Sequence, residues 1–333
     1  MKLRCVTDGT ACAVQMAAGD GWVNSDRVLR SLSPALPDAD IALWSRDLVA
    51  LLAAPDEARA RLAKAAADLA PDPDDGRAVA LPFAPRSFRD FMLYERHAID
   101  AARGFVRRFM PGIWPVVRAY EARLGPPFPL LKPHRLWYRQ PIYYMGNHLA
   151  FAGDGETITI PSYTKALDYE LELGFVLARP LLNATPAEAE AAIGGFVIVN
   201  DFSARDVQHA EMRSGFGPQK AKHFRNGLSS VVVSADEILP RWRALKGFVR
   251  INGRLVAEPS SAGPRWSLGE ALAHVSRSER LYPGELFATG TLPGGSGIET
   301  GHLLAAGDVI EIGIDGIGTL RNRIIEQDSG NAS

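Results

Sequence analysis

Cysteine is almost missing from this chain: Cys5 and Cys12 are the only two in 333 residues. Two such neighbours cannot form a disulfide framework, and their spacing fits no zinc pattern, so they read as buried or incidental thiols. Long apolar runs are missing too; none approaches the roughly 18 residues of a membrane span. The opening stretch MKLRCVTDGTACAVQ has basic residues but no continuous apolar core, and makes a poor signal peptide. A cytoplasmic protein with no membrane partner is expected. Neither charge is in surplus, with 37 Lys plus Arg against 38 Asp plus Glu. That balance gives no electrostatic reason to expect nucleic acid as a partner, although a local pocket for a small anion would not show in it. The sequence shows no internal repeat and no low-complexity tract.

What is present, 47% hydrophobic and 23% charged residues, suits a folded chain of one large unit and one smaller one. Residues 1 to about 40 read as short strands and turns, punctuated at Asp8-Gly9 and Gly19-Asp20-Gly21. Leu43 to Ala70 is rich in Ala, Leu, Arg and Asp and predicts two helices separated at Pro55. Pro71-Asp72-Pro73-Asp74-Asp75-Gly76 reads as a linker. The expected division is therefore a small N-terminal α+β domain with its linker over 1–76, and a larger domain over 77–333. From Ser87 the spacing of Phe88, Phe91, Ala98, Ala101, Ala102 and Phe105 predicts a helix, with Ser87 and Asp90 as a capping box. Strands are expected at Thr157–Ile160, Tyr169–Leu177, Gly195–Asn200, Ser229–Ser234, Gly247–Ile251, Leu286–Thr289, Asp308–Ile314 and Gly318–Ile325. Asp315-Gly316 signals a type I′ hairpin between the last two. The fold class that follows is α+β, mostly β.

Three segments carry candidate chemistry. In Leu167-Asp168-Tyr169-Glu170-Leu171-Glu172-Leu173, a strand's alternation puts Glu170 and Glu172 on one side, about 7 Å apart, with Asp168 in the same parity. The apolar flanks imply burial, and buried adjacent carboxylates need a proton, a basic partner or a cation. A hard divalent ion such as magnesium or manganese meets that need; a solvent-facing acidic edge is the bland alternative. In the second segment, Gly195 to Gln208, an apolar strand runs into Asp201 and then a helix. Asp201 is either a ligand at a strand end or, with Ser203 and Asp206, part of a helix cap. Arg205 and Gln208, three apart, could reach a substrate carboxylate or lie on the surface. In the third, Asp90, Tyr94 and His97 stand at i, i+4 and i+7, one stripe if the segment is helical, and histidine is the natural general base near neutral pH. The Gly-rich run Thr289 to Gly297 lacks the lysine and spacing of a P-loop; it reads as an active-site edge presenting backbone donors, or as a plain turn.

Taken in order, Asp-x6-His, Glu-x-Glu, Asn200-Asp201-Phe202-Ser203-Ala204-Arg205-Asp206-x-Gln208, the lysines of Gly217 to Lys222 and Thr289-Gly290-Thr291 resemble the fumarylacetoacetate hydrolase family, from about Arg86 to Ile325. The N-terminal strands, the Asp-x6-His segment and Pro141 to Gly146 are more like its fumarylacetoacetase branch. The resemblance implies the family's mixed β-roll, a homodimer, and a metal-dependent hydrolase of aromatic catabolism that cleaves a carbon–carbon bond in a β-diketo acid through an enolate. It implies Mg2+, with Mn2+ or Ca2+ as alternatives, on Glu170, Glu172, Asp201 and Asp90. His97 would be the base, Glu299 its orienting carboxylate and Lys222 the active-site lysine, with Lys220 as the rival. Arg205, Gln208, Tyr144 and Thr291 would line the site of a small oxo-acid substrate. Met92 and Met212 stand where the branch has aromatic residues that touch substrate. That departure keeps open a decarboxylase or isomerase of a 2-oxo acid on the same metal site, and, in another class, a non-catalytic binder of small acids.

Overall fold

The computed structural model describes residues 1–327. Its main feature is a 12-stranded sheet. Across it run the strands Gly21–Asn24, Cys12–Ala18, Lys2–Thr7, Val231–Ser234, Ile193–Asn200, Glu170–Leu177, Leu286–Ser296, Phe88–Phe91 and Tyr143–Gly146, in that spatial order. A second, 5-stranded sheet runs Arg254–Ala257, Gly247–Ile251, Val309–Ile314, Gly318–Ile325 and Thr157–Thr159. The fold is mixed α+β and mostly sheet.

The central strand Glu170–Leu177 shows why the sheet needs cover on both faces. Leu171, Leu173, Phe175 and Leu177 pack into a cluster with Ile310, Ile312, Leu320 and Ile324 of the second sheet. Val176, on the other parity, joins Val197, Val199 and Leu286 beneath Leu48, Leu51 and Leu62 of the N-terminal helices. A strand buried on both sides loses polar alternation. On this second face Glu170 and Glu172 are therefore exceptions that need an explanation.

The N-terminal strands belong to the main sheet: Lys2–Thr7 pairs antiparallel with Val231–Ser234. Pro55 stands as N-cap of the helix Asp56–Asp68, while the chain before it forms two short helices, Asp38–Trp44 and Leu48–Leu52. Residues 71–77 lack regular structure, yet Asp72 accepts from the Asn24 N–H at 2.7 Å and so ties this stretch to the N-terminal strands.

Two sequence expectations need correction. Phe88–Phe91 is a strand, paired parallel to Leu286–Ser296, and the helix begins only at Glu95 and runs to Phe109. Asp90 thus lies on a strand and His97 on a helix, so no helical stripe joins them. Ser87 does not cap a helix; its hydroxyl donates to Glu285 Oε2 at 2.8 Å. Apolar residues at 88 and 91 suit a helix by spacing, but a fully buried strand needs no alternation. The second concerns the hairpin after Ile314. It forms, with Ile314 opposite Gly318, and Gly316 is at φ 85°. Asp315 is not among the positive-φ residues, which excludes a type I′ turn.

Candidate active site

Register in the main sheet brings the distant acids together. Asp90 lies opposite Ala288 on one neighbour strand and Tyr144 on the other. Glu172 pairs with Val199 on one side and Thr291 on the other. Asp201 follows directly on the strand Ile193–Asn200, and its N–H donates to the Glu170 carbonyl at 3.1 Å. One oxygen from each of Asp90, Glu172 and Asp201 falls within 4.8 Å of the others, and all three residues are buried. Neither a cap nor a solvent edge describes Asp201 or the Glu-x-Glu pair. Ser203 donates to the Asp201 carbonyl instead of capping the helix Arg205–Arg213, and Asp206 accepts from Thr164 Oγ1 at 2.5 Å.

Electrostatics divides the buried carboxylates into satisfied and unsatisfied groups. Glu170 is bound by Lys222 Nζ and by Arg205 NH2, the latter at 2.6 Å. Burial alone would raise its carboxyl, but Arg205, Lys222 and His97 together hold it well below the carboxylate range. Lys222 also donates to Asp201 Oδ2 at 2.5 Å, and Tyr144 donates to the same oxygen at 2.8 Å. With its amide turned to suit its neighbours, Asn226 donates to Asp201 Oδ1 at 2.9 Å. Asp90 and Glu172 have no cation of their own. Burial and then the Asp201 charge push Asp90 well above its usual range, and burial and then Asp90 do the same to Glu172. Asp90 Oδ1 and Glu172 Oε2 find no hydrogen-bond donor among the described residues.

A buried carboxylate oxygen without a partner costs about 1–3 kcal/mol or more. Three converging acids, two of them with an unsatisfied oxygen, form an all-oxygen donor set that suits a hard divalent ion. The residues therefore fit such a cation.

Beside this trio sits an acid–base pair. His97 Nδ1 lies 3.0 Å from Glu299 Oε2, at ion-pair distance but without hydrogen-bond geometry, and His97 Nε2 lies 3.7 Å from Glu170 Oε1. Burial opposes a charge on His97, but Glu299 and then Glu170 outweigh it and raise its proton affinity. Glu299 is held on its other edges by the Gly294 N–H at 3.0 Å and the Ser296 hydroxyl at 2.7 Å. The Gly-rich run thus does present a backbone donor, and it serves Glu299.

The remaining candidates are placed as follows. Thr291 Oγ1 lies 3.3 Å from Glu172 Oε1. Arg205, expected to face a substrate acid, is buried and donates from Nε to Asp168 at 2.7 Å, from NH2 to Glu170 and from NH1 to Gln208 Oε1 at 2.9 Å. Its charge is thus met inside the protein. Lys222 is in the cluster, whereas Lys220 is exposed and stands over the Tyr163 ring. Met92 and Met212 are 38% and 50% exposed. Two polar contributors had no clear sequence signal. Asn226 stands in a short strand far from the acidic motifs, and Ser296 lies in a run that reads as a turn.

A histidine facing a carboxylate beside a buried set of acids is an arrangement that can carry acid–base chemistry next to a cation. The C-terminal domain of fumarylacetoacetate (FAA) hydrolase matches residues 129–325, and the chain belongs to the fumarylacetoacetate hydrolase family, whose members are enzymes acting on oxo-acids. Asp90 and His97 precede the matched segment. Over 185 residues, 56% of this chain and 81% of the relative, it is 29% identical to the mitochondrial oxaloacetate tautomerase FAHD1 of Pongo abelii. A fumarylacetoacetate hydrolase from the psychrophile Exiguobacterium antarcticum shares the fold at TM-score 0.67 and 20% identity, over 98% of this chain and 100% of that one. A fumarylpyruvate hydrolase from Pseudomonas aeruginosa, solved in complex with Mn2+ and pyruvate, matches at TM-score 0.55 and 20% identity, over 76% of this chain and 93% of that one. Among the described residues no helix is long and apolar enough to cross a membrane.

Proposed function

We propose that this enzyme hydrolyses a carbon–carbon bond in a β-diketo acid of the fumarylacetoacetate or acylpyruvate kind. The observation that carries the reading is the buried trio Asp90, Glu172 and Asp201, two of whose oxygens lack any donor, next to a histidine already paired with a carboxylate. In this reading Asp90, Glu172 and Asp201, with Glu170 as the fourth acid, hold Mg2+ or, alternatively, Mn2+ or Ca2+. When bound there, a divalent ion supplies Lewis-acid stabilisation of negative charge on the oxygens of an oxo-acid.

The chain's own residues do the rest. His97, oriented through Nδ1 by Glu299, takes a proton from water at Nε2, and the water oxygen attacks the carbonyl distal to the acid end. The carbon–carbon bond breaks, its electron pair passes to the leaving enolate, and the proton on His97 returns to that carbon. Lys222 has three N–H donors and two carboxylate partners, which leaves one for a substrate oxygen. Tyr144, Thr291 and Gln208 fix the surrounding carboxylates and guanidinium. The chain is expected to work as a homodimer, which sedimentation would test.

A second reading, tautomerisation or decarboxylation of a 2-oxo diacid, is favoured by the oxaloacetate tautomerase among its relatives and by Met92 and Met212. In tautomerisation His97 would take its proton from the substrate carbon instead of water. In decarboxylation the bond to the carboxylate breaks with loss of CO2, its electron pair passes to the enolate, and that carbon then gains a proton. One purified sample assayed against an acylpyruvate, oxaloacetate and a 2-oxo-enoate separates the two. Turnover of the acylpyruvate with release of two acids supports hydrolysis, and enol–keto exchange of oxaloacetate alone overturns it. His97→Ala should lower turnover by about 10²- to 10⁴-fold and leave metal affinity near that of the wild type.

A further inference from the structure

Asp168 is a buried carboxylate to which the proposed reaction gives no part. It is 0% exposed and accepts from two separate helices and from the N–H of the next residue. Its Oδ2 receives Arg205 Nε at 2.7 Å, from the helix Arg205–Arg213, and the Ile298 N–H at 2.9 Å, from the short helix Gly297–Thr300. Its Oδ1 receives the Tyr169 N–H at 2.8 Å, where the strand Glu170–Leu177 begins.

From this carboxylate two routes lead to the same imidazole. On the first, Ile298 is followed in sequence by Glu299, whose Oε2 stands 3.0 Å from His97 Nδ1. On the second, Arg205 NH2 donates to Glu170 Oε1 at 2.6 Å, and that oxygen stands 3.7 Å from His97 Nε2. The contacts close into a ring, and Asp168 is the point at which the two carboxylates flanking His97 are referenced to each other. Backbone packing is shaped to the same junction. A Cβ at Gly297 would stand 2.3 Å from Asp168 Oδ1 and equally 2.3 Å from the His302 carbonyl oxygen, so only glycine fits between the two. On the His97 helix a Cβ at Gly104 would stand 2.0 Å from the Ile298 carbonyl, so the short helix is clasped from both sides.

We infer that Asp168 is a positioning residue for the base: it sets where Glu299 and Glu170 stand about His97. This rests on the reading of His97 as the base. A carboxylate that merely neutralised Arg205 would need no contact to Ile298. Misplacing a reacting group by about 1 Å can cost about 10²-fold in rate, and removing a group that orients a site residue typically costs about 10- to 100-fold.

The test uses the full metal-loaded chain and an acylpyruvate. Asp168→Asn should lower kcat by about 10- to 100-fold, with KM near wild type. Gly297→Ala, which crowds Asp168 from the short helix while leaving its carboxylate in place, should reproduce that split and serves as the readout should Asp168→Asn not fold. The double variant should lose no more than the worse single one, because both break the same junction. If Asp168→Asn keeps wild-type kcat while His97→Ala is inactive, or if its loss appears in KM alone, the inference is overturned. A fully active His97→Ala would instead overturn the reading of the base, and this inference with it.

Discussion

At the scale of single residues, the site trades stability for function. Asp90 and Glu172 are both driven well above the carboxylate range by burial and by their acidic neighbours. Glu172→Gln should therefore raise the melting temperature of the metal-free protein, equivalent to about 1–3 kcal/mol, since it removes a buried acid crowded by other acids and with one oxygen unsatisfied. The same change should abolish turnover and weaken metal binding, so thermal melts and calorimetry on one preparation check both halves. A lower melting temperature for the stripped variant would contradict the charge assignment. The Glu-x-Glu pair stood out in the sequence as a polar pair inside an apolar strand, whereas Asp201 read equally as a helix cap until the resemblance was drawn. Asp168 was legible only as a residue of the same parity. Its partners Arg205 and Ile298 lie 37 and 130 positions away, and no local pattern records such a contact.

At the scale of elements, the helix Glu95–Phe109 delivers His97, and the short helix Gly297–Thr300 delivers Glu299. Their separation is set by Gly104, where an added methyl would meet the Ile298 carbonyl. Gly104→Ala should force the helices apart, costing about 1–3 kcal/mol of stability and lowering kcat while metal affinity persists. An unchanged kcat would show that the helix spacing does not control the His97–Glu299 contact. The sequence placed His97 correctly on a helix but extended that helix back through Asp90. The error has a physical source: Phe88 and Phe91 are buried in a strand covered on both faces, which carries no period of two to distinguish it from a helix. The strands Gly247–Ile251 and Gly318–Ile325 were legible to the residue. In Gly318–Ile325 one face is exposed and alternation survives.

At the scale of the whole molecule, the main sheet is the device that converts sequence separation into proximity, for it carries Asp90, Glu172 and Asp201 on three of its strands or their ends. The clustered acids also tie folding to pH. In the metal-free protein the folded state holds protons on Asp90 and Glu172 more tightly than the unfolded chain does. Their contribution to stability is full below the unfolded carboxylate range and is lost as pH rises through the raised folded values. Metal needs the deprotonated acids, so its binding strengthens over the same interval. The gap in melting temperature between loaded and stripped protein should therefore widen as pH rises from the unfolded carboxylate range through the raised folded values, and a constant gap would contradict the linkage. The measurement that bears most directly on the account is calorimetric titration of Mg2+ or Mn2+ into metal-stripped protein, repeated in buffers of different ionisation enthalpy. The account predicts one divalent ion per chain, bound with release of protons, and loss of that binding in Asp201→Asn. Absence of binding, or binding that survives Asp201→Asn unchanged, would contradict it.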